Sequence, residues 1–279
     1  MSGSSALTLK KDRNDHIVQL SIYGDVLTIR IGCGTTSFFV VKLNDTPDYL
    51  REFSNHIEGN LRKFGYSECN APEGLTDGSI GNLIWTNKIP DDPSFTSVSN
   101  DITRVYGSER PWLILHFAEG LSIDDDFDFG TFGRACGAAG LIIEGPVTTQ
   151  GILFSTGDDG PVCVRVNGDV TARSLINTNT LMQIDGTLSV MQTVLGKSSD
   201  GELYIHGAVS AEALIGDDQV ISAERYDCHR FCRDRSPDIS WLDPDVAVLY
   251  DGIPDFPDGD KIWDRILNGR SVLSAPDAS

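Results

Sequence analysis

The stretch VRVNGDVTARSLIN, residues Val164–Asn177, decides the fold because nearly the same pattern occurs three more times in the chain. The other copies read LIIEGPVTTQGILF, MQIDGTLSVMQTVL and LYIHGAVSAEALIG. Each copy fits apolar-x-Gly-x-apolar-Ser/Thr, followed by a second short apolar run. The four glycines are Gly145, Gly168, Gly186 and Gly207, at spacings of 23, 18 and 21 residues. A repeat of about 20 residues that carries two or three short strands is typical of stacked coils, since one coil cannot bury its inward face alone.

We therefore predict a mainly β fold, with a parallel β-solenoid (β-helix) of about four or more coils. The alternative is a β-sandwich or barrel, because such folds also show short strands separated by turn residues. A sandwich does not require the same residue pattern in every strand, however, and this chain repeats its pattern four times. The repeats therefore favour the solenoid.

The chain divides into three predicted regions. Residues 1–100 form a small α+β domain, residues 101–222 the solenoid, and residues 223–279 an acidic, Pro- and Asp-rich C-terminal cap. In the first region a strand pair turns at Gly24, a third strand follows, and Thr46 and Pro47 begin an amphipathic helix. We expect residues 91–101, DDPSFTSVSND, to be a linker. In the last region GDKIWDRILNGR predicts one short helix within a segment that could cover the terminal coil.

The charge balance restricts the possible partners. Lys and Arg number 22 against 41 Asp and Glu, which gives a formal net charge of -19. Residues 101–222 contain six basic and 17 acidic residues, so the repeats carry most of this charge. An acidic field repels nucleic acid and anionic lipid and attracts basic partners. The N-terminus lacks an apolar signal sequence and no 18-residue apolar run occurs, so we expect a cytoplasmic protein that binds no nucleic acid and no membrane.

Candidate metal sites are incomplete. CHRFC, Cys228 to Cys232, has no second Cys/His cluster to complete four zinc ligands, and we interpret it as a surface loop. DDDFDFG, Asp124 to Gly130, places acids at alternate positions as a calcium loop does. Phe129 stands where that loop needs glycine and Ala135 where it needs glutamate, which indicates a solvated acidic turn. We therefore predict no metal and no cofactor.

No catalytic constellation is evident either. The repeat region lacks the clusters of acids with Lys or Arg that polysaccharide-acting β-helix enzymes gather on one face, and no Ser/His/Asp order stands out. His206 stands next to Gly207, at a position held in the other repeats by Glu144, Asn167 and Asp185, and we interpret it as a solvent-facing strand residue. The expectation is a protein without enzymatic activity.

The repeats carry resemblances to two known families. VNGDVTARSLI and IHGAVSAEALI resemble the coils of bactofilins, which are polymer-forming bacterial solenoid proteins, over residues 141–222. Bactofilins have short tails, whereas this chain has about 100 residues before its repeats. The longer run VNGDVTARSLI…IDGTLSVMQTVLG…DGELYIHGAVSAEALIGDD is similar to bacterial solenoid immunity proteins that accompany polymorphic toxins. That resemblance implies a cytoplasmic, acidic, non-catalytic protein that occludes the active site of one toxin domain.

Our first hypothesis is thus an immunity protein that neutralises a cognate basic toxin domain, such as a nuclease or a nucleotide-modifying enzyme. The alternatives are a bactofilin-like self-assembling scaffold and, third, a polysaccharide-acting β-helix enzyme. The predicted contacts with the toxin are acidic loop residues beside the coils. They are Asp124, Asp125, Asp126, Asp128, Asp158, Asp159, Asp217 and Asp218.

Overall fold

The computed structural model describes residues 6–11, 17–32, 37–63, 66–69, 76–109, 111–156, 163–198, 200–232, 239–250 and 253–274. The fold is mainly β, and a parallel β-solenoid is its largest part, as the repeats predict. An N-terminal α+β unit precedes the solenoid and a segment with one short helix follows it.

The N-terminal unit is a mixed sheet with one buried helix face. Its elements are β1 (Ala6–Lys11), β2 (Ile17–Tyr23), β3 (Val26–Gly32), β4 (Ser37–Asn44), α1 (Pro47–Lys63), β5 (Tyr66–Glu68) and β6 (Thr76–Trp85). Strands β5, β1, β2, β3 and β4 pair antiparallel in that order, and β6 then joins β4 in parallel. Helix α1 buries Leu50, Phe53, Ile57 and Leu61, which confirms the predicted apolar stripe. The predicted hairpin is also confirmed, with Gly24 at a φ of 60° in its turn. The predicted three-stranded sheet gains β1, β5 and β6.

The predicted linker is wrong: residues 93–106 form helix α2 (Pro93–Tyr106). Asp92 caps it, because its Oδ1 accepts a hydrogen bond of 2.7 Å from the backbone N–H of Ser94. Phe95, Val98 and Ile102 recur at helical spacing and are buried, so this polar-looking segment has a strong apolar stripe.

The solenoid has three faces, and each level contributes one strand to each face. The strands of the first four levels are β7 (Leu113–Phe117), β8 (Leu121–Ile123), β9 (Phe127–Asp128), β10 (Gly140–Ile143), β11 (Val147–Thr149), β12 (Ile152–Thr156), β13 (Cys163–Val166), β14 (Val170–Ala172), β15 (Ser174–Thr178), β16 (Leu181–Ile184), β17 (Leu188–Val190) and β18 (Thr193–Lys197). The long strands β19 (Glu202–Asp217) and β20 (Val220–Cys232) each follow all three faces and add two further levels. All strand pairings between levels are parallel.

The inward side chains form one continuous apolar column inside the stack. On the first face it runs through Leu115, Leu141, Val164, Met182 and Leu203, all at most 1% exposed. The repeat glycines lie at the first corner, between the first and second faces, where the backbones of neighbouring levels approach closely. A Cβ on Gly168 would lie 2.5 Å from the Gly145 carbonyl carbon, one on Gly186 would lie 2.6 Å from the Gly168 carbonyl carbon, and one on Gly207 would lie 2.7 Å from the Gly186 carbonyl oxygen. At Gly145 the nearest backbone atom would be 3.1 Å away, and its φ of 119° favours glycine as well. The corner therefore requires glycine for space.

The N-terminal unit covers the first level of the solenoid. Strand β6 pairs antiparallel with β7, so the first-face edge is hydrogen-bonded. Helix α3 (Phe129–Cys136), which the sequence did not predict, follows β9 and places Phe129 and Phe132 in the core beside Phe117 and Phe127. The sixth level ends at Cys232, beyond the predicted solenoid boundary at residue 222.

Two of the three solenoid faces are covered on their outer side. Helix α2 packs against the first face, where Ile114, Ile142 and Cys163 point outward. The C-terminal segment, with β21 (Ala247–Tyr250), β22 (Ile253–Pro257) and α4 (Gly259–Leu267), packs against the third face. The outward row that it covers consists of Ile152, Ile176, Leu195, Ala213, Ile215 and Phe231. The predicted C-terminal helix is confirmed, and the segment covers a flank of the stack.

Candidate functional site

The second face of the solenoid is open to solvent. A three-residue strand that buries its first and third side chains has one side chain left to point outward, as the buried–exposed–buried patterns of β8, β11 and β14 show. These outward residues are Ser122, Thr148, Thr171, Ser189 and Ser210. All are exposed except Ser189, which is half-buried. A partner can reach this hydroxyl row without displacing any described part of the chain.

Acidic residues border the second face on both sides. The first border, along the first corner, consists of Glu119, Glu144, Asp169, Asp185 and Glu224. The second border, between the second and third faces, consists of Asp124, Asp125, Asp126 and Glu212, and Asp227 extends the second-face row beyond Ser210, with which it pairs. The basic side chains nearby are Arg165, Arg173 and Arg225. Arg165 lies 2.7 Å from Asp185, and Arg173 lies 3.5 Å from Asp126. The acids outnumber the arginines, so the borders carry net negative charge.

A hydrogen-bonded ladder fixes the carboxylates of the first border. The side-chain amide of Asn167 donates to Glu144 Oε2 at 2.7 Å and to Ser94 Oγ of α2 at 3.0 Å. Arg165 donates through Nε to Asn167 Oδ1 at 2.8 Å and through a terminal nitrogen to Asp185 Oδ2 at 2.7 Å. Three successive levels and α2 are joined by these bonds. Charge-assisted hydrogen bonds of this length hold the two carboxylates as preoriented acceptors.

Histidines lie at both ends of the ladder. His116 packs against the Phe95 ring with centroids 4.9 Å apart, and its Nε2 lies 3.7 Å from Glu144 Oε1. Burial lowers the pKa of His116, against the opposing effects of Glu144 and Asp92. His116 is therefore neutral at pH 7 and adds no positive charge to the border. At the other end His206 Nδ1 lies 3.4 Å from Asp185 Oδ1, and its side chain is 58% exposed.

The predicted contacts Asp124, Asp125 and Asp126 fall on the second border. Asp124 is exposed, and Asp125 Oδ1 accepts from the backbone N–H of Asp126 at 2.8 Å. Asp126 Oδ1 accepts from the backbone N–H of Ile152 at 2.7 Å, so it also joins the first and second levels.

The remaining predicted contacts are elsewhere. Asp128 accepts hydrogen bonds from the N–H of Gly130 and the hydroxyls of Thr131 and Thr156, at 2.7 to 3.0 Å, and its carboxylate is used within the stack. Asp217 and Asp218 lie at the third corner, where Asp217 contacts Gly259 at the start of α4. The predicted contacts Asp158 and Asp159 lie outside the described residues. The six of these acids that lie in the described part of the chain thus do not form one surface.

Two open clefts flank the C-terminal segment. One of about 560 Å³ lies between the third corner and α4 and is lined by Lys197, Asp260 and Trp263 among others. The other, of about 610 Å³, includes Glu212, Asp227, Cys228 and His229. The predicted surface-loop location of CHRFC is wrong, because Cys228 to Cys232 lie within β20 and Cys232 is buried. Burial raises the pKa of Cys228 to about 11.

Within the described part of the chain, no group of three or more His, Cys, Asp or Glu side chains could hold a metal ion. No helix formed by the described residues is both long and apolar enough to cross a membrane. Comparison of the chain with protein-family models, with characterised proteins and with solved structures finds no match.

The ladder was not predicted, although its signal is visible in the sequence. Glu144, Asn167, Asp185 and His206 each precede a repeat glycine, so the same corner position is polar in every repeat. The partner Arg165 lies two residues before Asn167, on the outward side of its strand. Each residue alone is consistent with a solvent-facing strand position. Only the parallel register shows that they stack and bond to one another.

Proposed function

We propose that this protein is a non-catalytic, cytoplasmic immunity protein that binds a cognate basic toxin domain and occludes its active site. The observation that carries the proposal is the open second face with acidic borders on both sides. A toxin that acts on an anionic substrate, such as a nuclease or a nucleotide-modifying enzyme, has a basic active-site surface. Such a surface is complementary to these borders.

The ladder supports the binding role because fixed carboxylates lose little side-chain entropy when a cation docks on them. Charge complementarity would also speed the encounter, to as much as ~10⁸–10⁹ M⁻¹s⁻¹ at low salt. A long-lived complex with the toxin also needs apolar anchors, and Met191, which is 59% exposed beside the second border, can provide one.

The end of the solenoid that the N-terminal unit covers favours an inhibitor over the bactofilin-like scaffold. A filament built by stacking coil on coil needs two free ends. Here β6 occupies the first-face edge of β7, and α3 lies against the core of the first level. Coil stacking through that end would require displacement of the N-terminal unit.

The test begins with a tagged pull-down from the native cell, washed at low and then high salt. The proposal expects one basic protein, retained in near-equal amount, whose expression alone arrests growth and whose effect is reversed by co-expression of this chain. The test variant is Glu119→Lys with Asp124→Lys, because these exposed acids lie on either side of β8.

The matched control is Asp48→Lys with Glu52→Lys, which makes the same charge change on the exposed side of α1. Protection should fall at least tenfold for the border variant and remain unchanged for the control. Equal protection by both variants would exclude the second face as the binding surface. Recovery of the bait alone, in large multimers, would favour the scaffold.

A further inference from the structure

The cleft of about 560 Å³ between the third corner and α4 has a polar wall on its solenoid side. Thr156, Thr178 and Lys197 are the last residues of β12, β15 and β18, and the parallel registers place them in one row, one residue per level. The corner residues Asn179 and Ser198 follow directly and complete the wall. The Thr156 hydroxyl donates to Asp128, whereas the hydroxyls of Thr178 and Ser198 form no hydrogen bond with another described residue.

Helix α4 forms the opposite wall of the cleft. Asp260, Trp263 and Asp264 line it, and their i, i+3, i+4 spacing places them on one side of the helix. The Trp263 ring is half-buried and packs against Phe154 of the third face, with ring centroids 6.1 Å apart. Among the described residues none accepts a hydrogen bond from its indole N–H. This wall therefore provides an aromatic ring, an N–H donor and the exposed carboxylate of Asp264.

The corner residues of this cleft have an unusual backbone conformation. The φ angles are 53° at Asn179 and 87° at Ser198, in the left-handed region that favours glycine. Glycine would be less strained at both positions, so the turn itself does not require polar side chains there. Non-glycine residues held in this region are concentrated at functional sites. Strain at two successive levels, both lining one cleft, therefore indicates a binding role for this corner.

The charges of the cleft select the type of ligand. Lys197 pairs with Asp260 across the cleft, so its positive charge is already neutralised and Asp264 leaves a net negative charge. An anionic ligand is therefore disfavoured, and a single exposed carboxylate attracts a cation only weakly. An apolar ligand would cover the hydroxyls of Thr178 and Ser198 without giving them hydrogen-bond partners, which is costly. The favoured ligand is neutral, with several hydroxyl groups and an apolar ring face.

We infer that this cleft binds a neutral saccharide. A pyranose ring has C–H groups that can pack against Trp263 and hydroxyls that both donate and accept, as Thr178, Ser198 and Asp264 require. The volume is within the range of small-molecule sites. For a single sugar residue, which has few atoms, a dissociation constant of ~1 mM is expected. The cleft is separate from the second face, so this inference does not rest on the proposed toxin binding.

The test is ¹⁹F NMR of the full chain labelled with fluorotryptophan, which gives one signal for each of its four tryptophans. The variant Trp263→Phe assigns the Trp263 signal by its loss. The probes are the methyl glycosides of glucose, galactose, mannose and N-acetylglucosamine. At least one of them should shift the Trp263 signal with a dissociation constant of ~1 mM, while the signals of Trp85, Trp112 and Trp241 stay in place.

Two variants test the predicted contacts. Thr178→Val removes a hydroxyl at nearly constant volume and should weaken binding of that glycoside about fivefold. Asp264→Asn removes a charged acceptor and should weaken it about tenfold. The matched control is Thr171→Val, which makes the same change as Thr178→Val on the second face and should bind as the wild type does. Thermal melts establish that the variants are folded.

A Trp263 signal that none of these glycosides moves refutes the inference. A shift that is unchanged in folded Thr178→Val and Asp264→Asn also refutes it, because the sugar then binds elsewhere. If inorganic phosphate or arginine amide shifts the signal and the glycosides do not, the cleft binds a charged ligand and the saccharide is excluded. None of these results affects the proposed toxin binding, which is assayed by growth protection with substitutions beside the second face.

Discussion

The repeat glycines at the first corner predict that the addition of a single methyl group destabilises the protein. Gly168→Ala adds one methyl group, which would lie 2.5 Å from the Gly145 carbonyl carbon and 2.6 Å from its oxygen. Both atoms belong to backbone that the parallel ladders hold in place on either side, so no rotamer change can relieve the contact. The two levels must separate locally or the corner must shift.

The expected cost is at the upper end of what overpacking causes, about 3 kcal/mol. For a chain of this size that corresponds to a decrease in Tm of ~6–12 °C. Differential scanning calorimetry of the variant and the wild type at the same pH measures it. The variant should still fold to the same secondary structure, because the remaining levels keep their registers.

Gly59→Ala is the matched control, since the chemical change is identical. Gly59 lies in the middle of α1 with open space around its Cβ position. Alanine has the higher helix propensity, so this variant should be more stable by up to about 1 kcal/mol. A Gly168→Ala protein that melts within about 2 °C of the wild type, well short of the expected shift, would refute the claim that backbone contact between levels requires glycine at this corner.

Three further outcomes follow from the contacts described above. Arg165→Met removes the cation between Asn167 and Asp185 and should lower the free energy of unfolding, measured with urea, by about 2 kcal/mol. The cost stays below that for a fully buried pair because the side chains of Arg165 and Asp185 are 16% and 26% exposed. A loss under about 0.5 kcal/mol, the size of an ordinary surface substitution, would contradict the structural role of the ladder. In a protein with Cys33→Ser and Cys69→Ser, the rate of Cys228 alkylation should rise about tenfold per pH unit between about pH 8 and 10. The raised pKa of Cys228 keeps the thiolate scarce in this range, so each pH unit raises the thiolate fraction tenfold. A rate that levels off above about pH 8.5, the ordinary thiol pKa, would contradict the burial of Cys228. Truncation after residue 238 removes the cover of the third face and exposes its outward isoleucines, so light scattering should show concentration-dependent aggregation that the full chain lacks.

The elements of this fold differ in how well the local sequence predicts them, and each difference has a physical reason. The solenoid was predictable because its repeat places apolar side chains and glycine at fixed positions in each copy, as in Val164–Asn177. Helix α1 was predictable from its cap and its stripe. Helix α2 was missed because Pro, Ser, Asn and Asp dominate its composition, although the spacing of Phe95, Val98 and Ile102 is helical. Helix α3 is only eight residues long and interrupts the first level, so the repeat pattern does not predict it.

The candidate surface shows the same division. The polar character of each corner position is legible in the sequence, and so is the acidity of the middle region. The sequence does not show which of these acids lie close together in the structure. Asp124 and Asp128 are four residues apart, yet the first is exposed on a border and the second is bonded inside the stack to Thr156 of the next level.

The sequence by itself determined that the middle of this chain is a stack of coils, because burial of an inward face and close approach at a corner impose a local, repeated residue pattern. Only the tertiary structure decided which faces are covered, which end the N-terminal unit covers and which carboxylates meet, since these depend on contacts between residues far apart in the chain. Ser94 and Asn167 are 73 residues apart and bond directly, as do Lys197 and Asp260 across 63 residues. Local sequence pattern does not specify such pairs, because packing of the helix or the tail against the stack creates them.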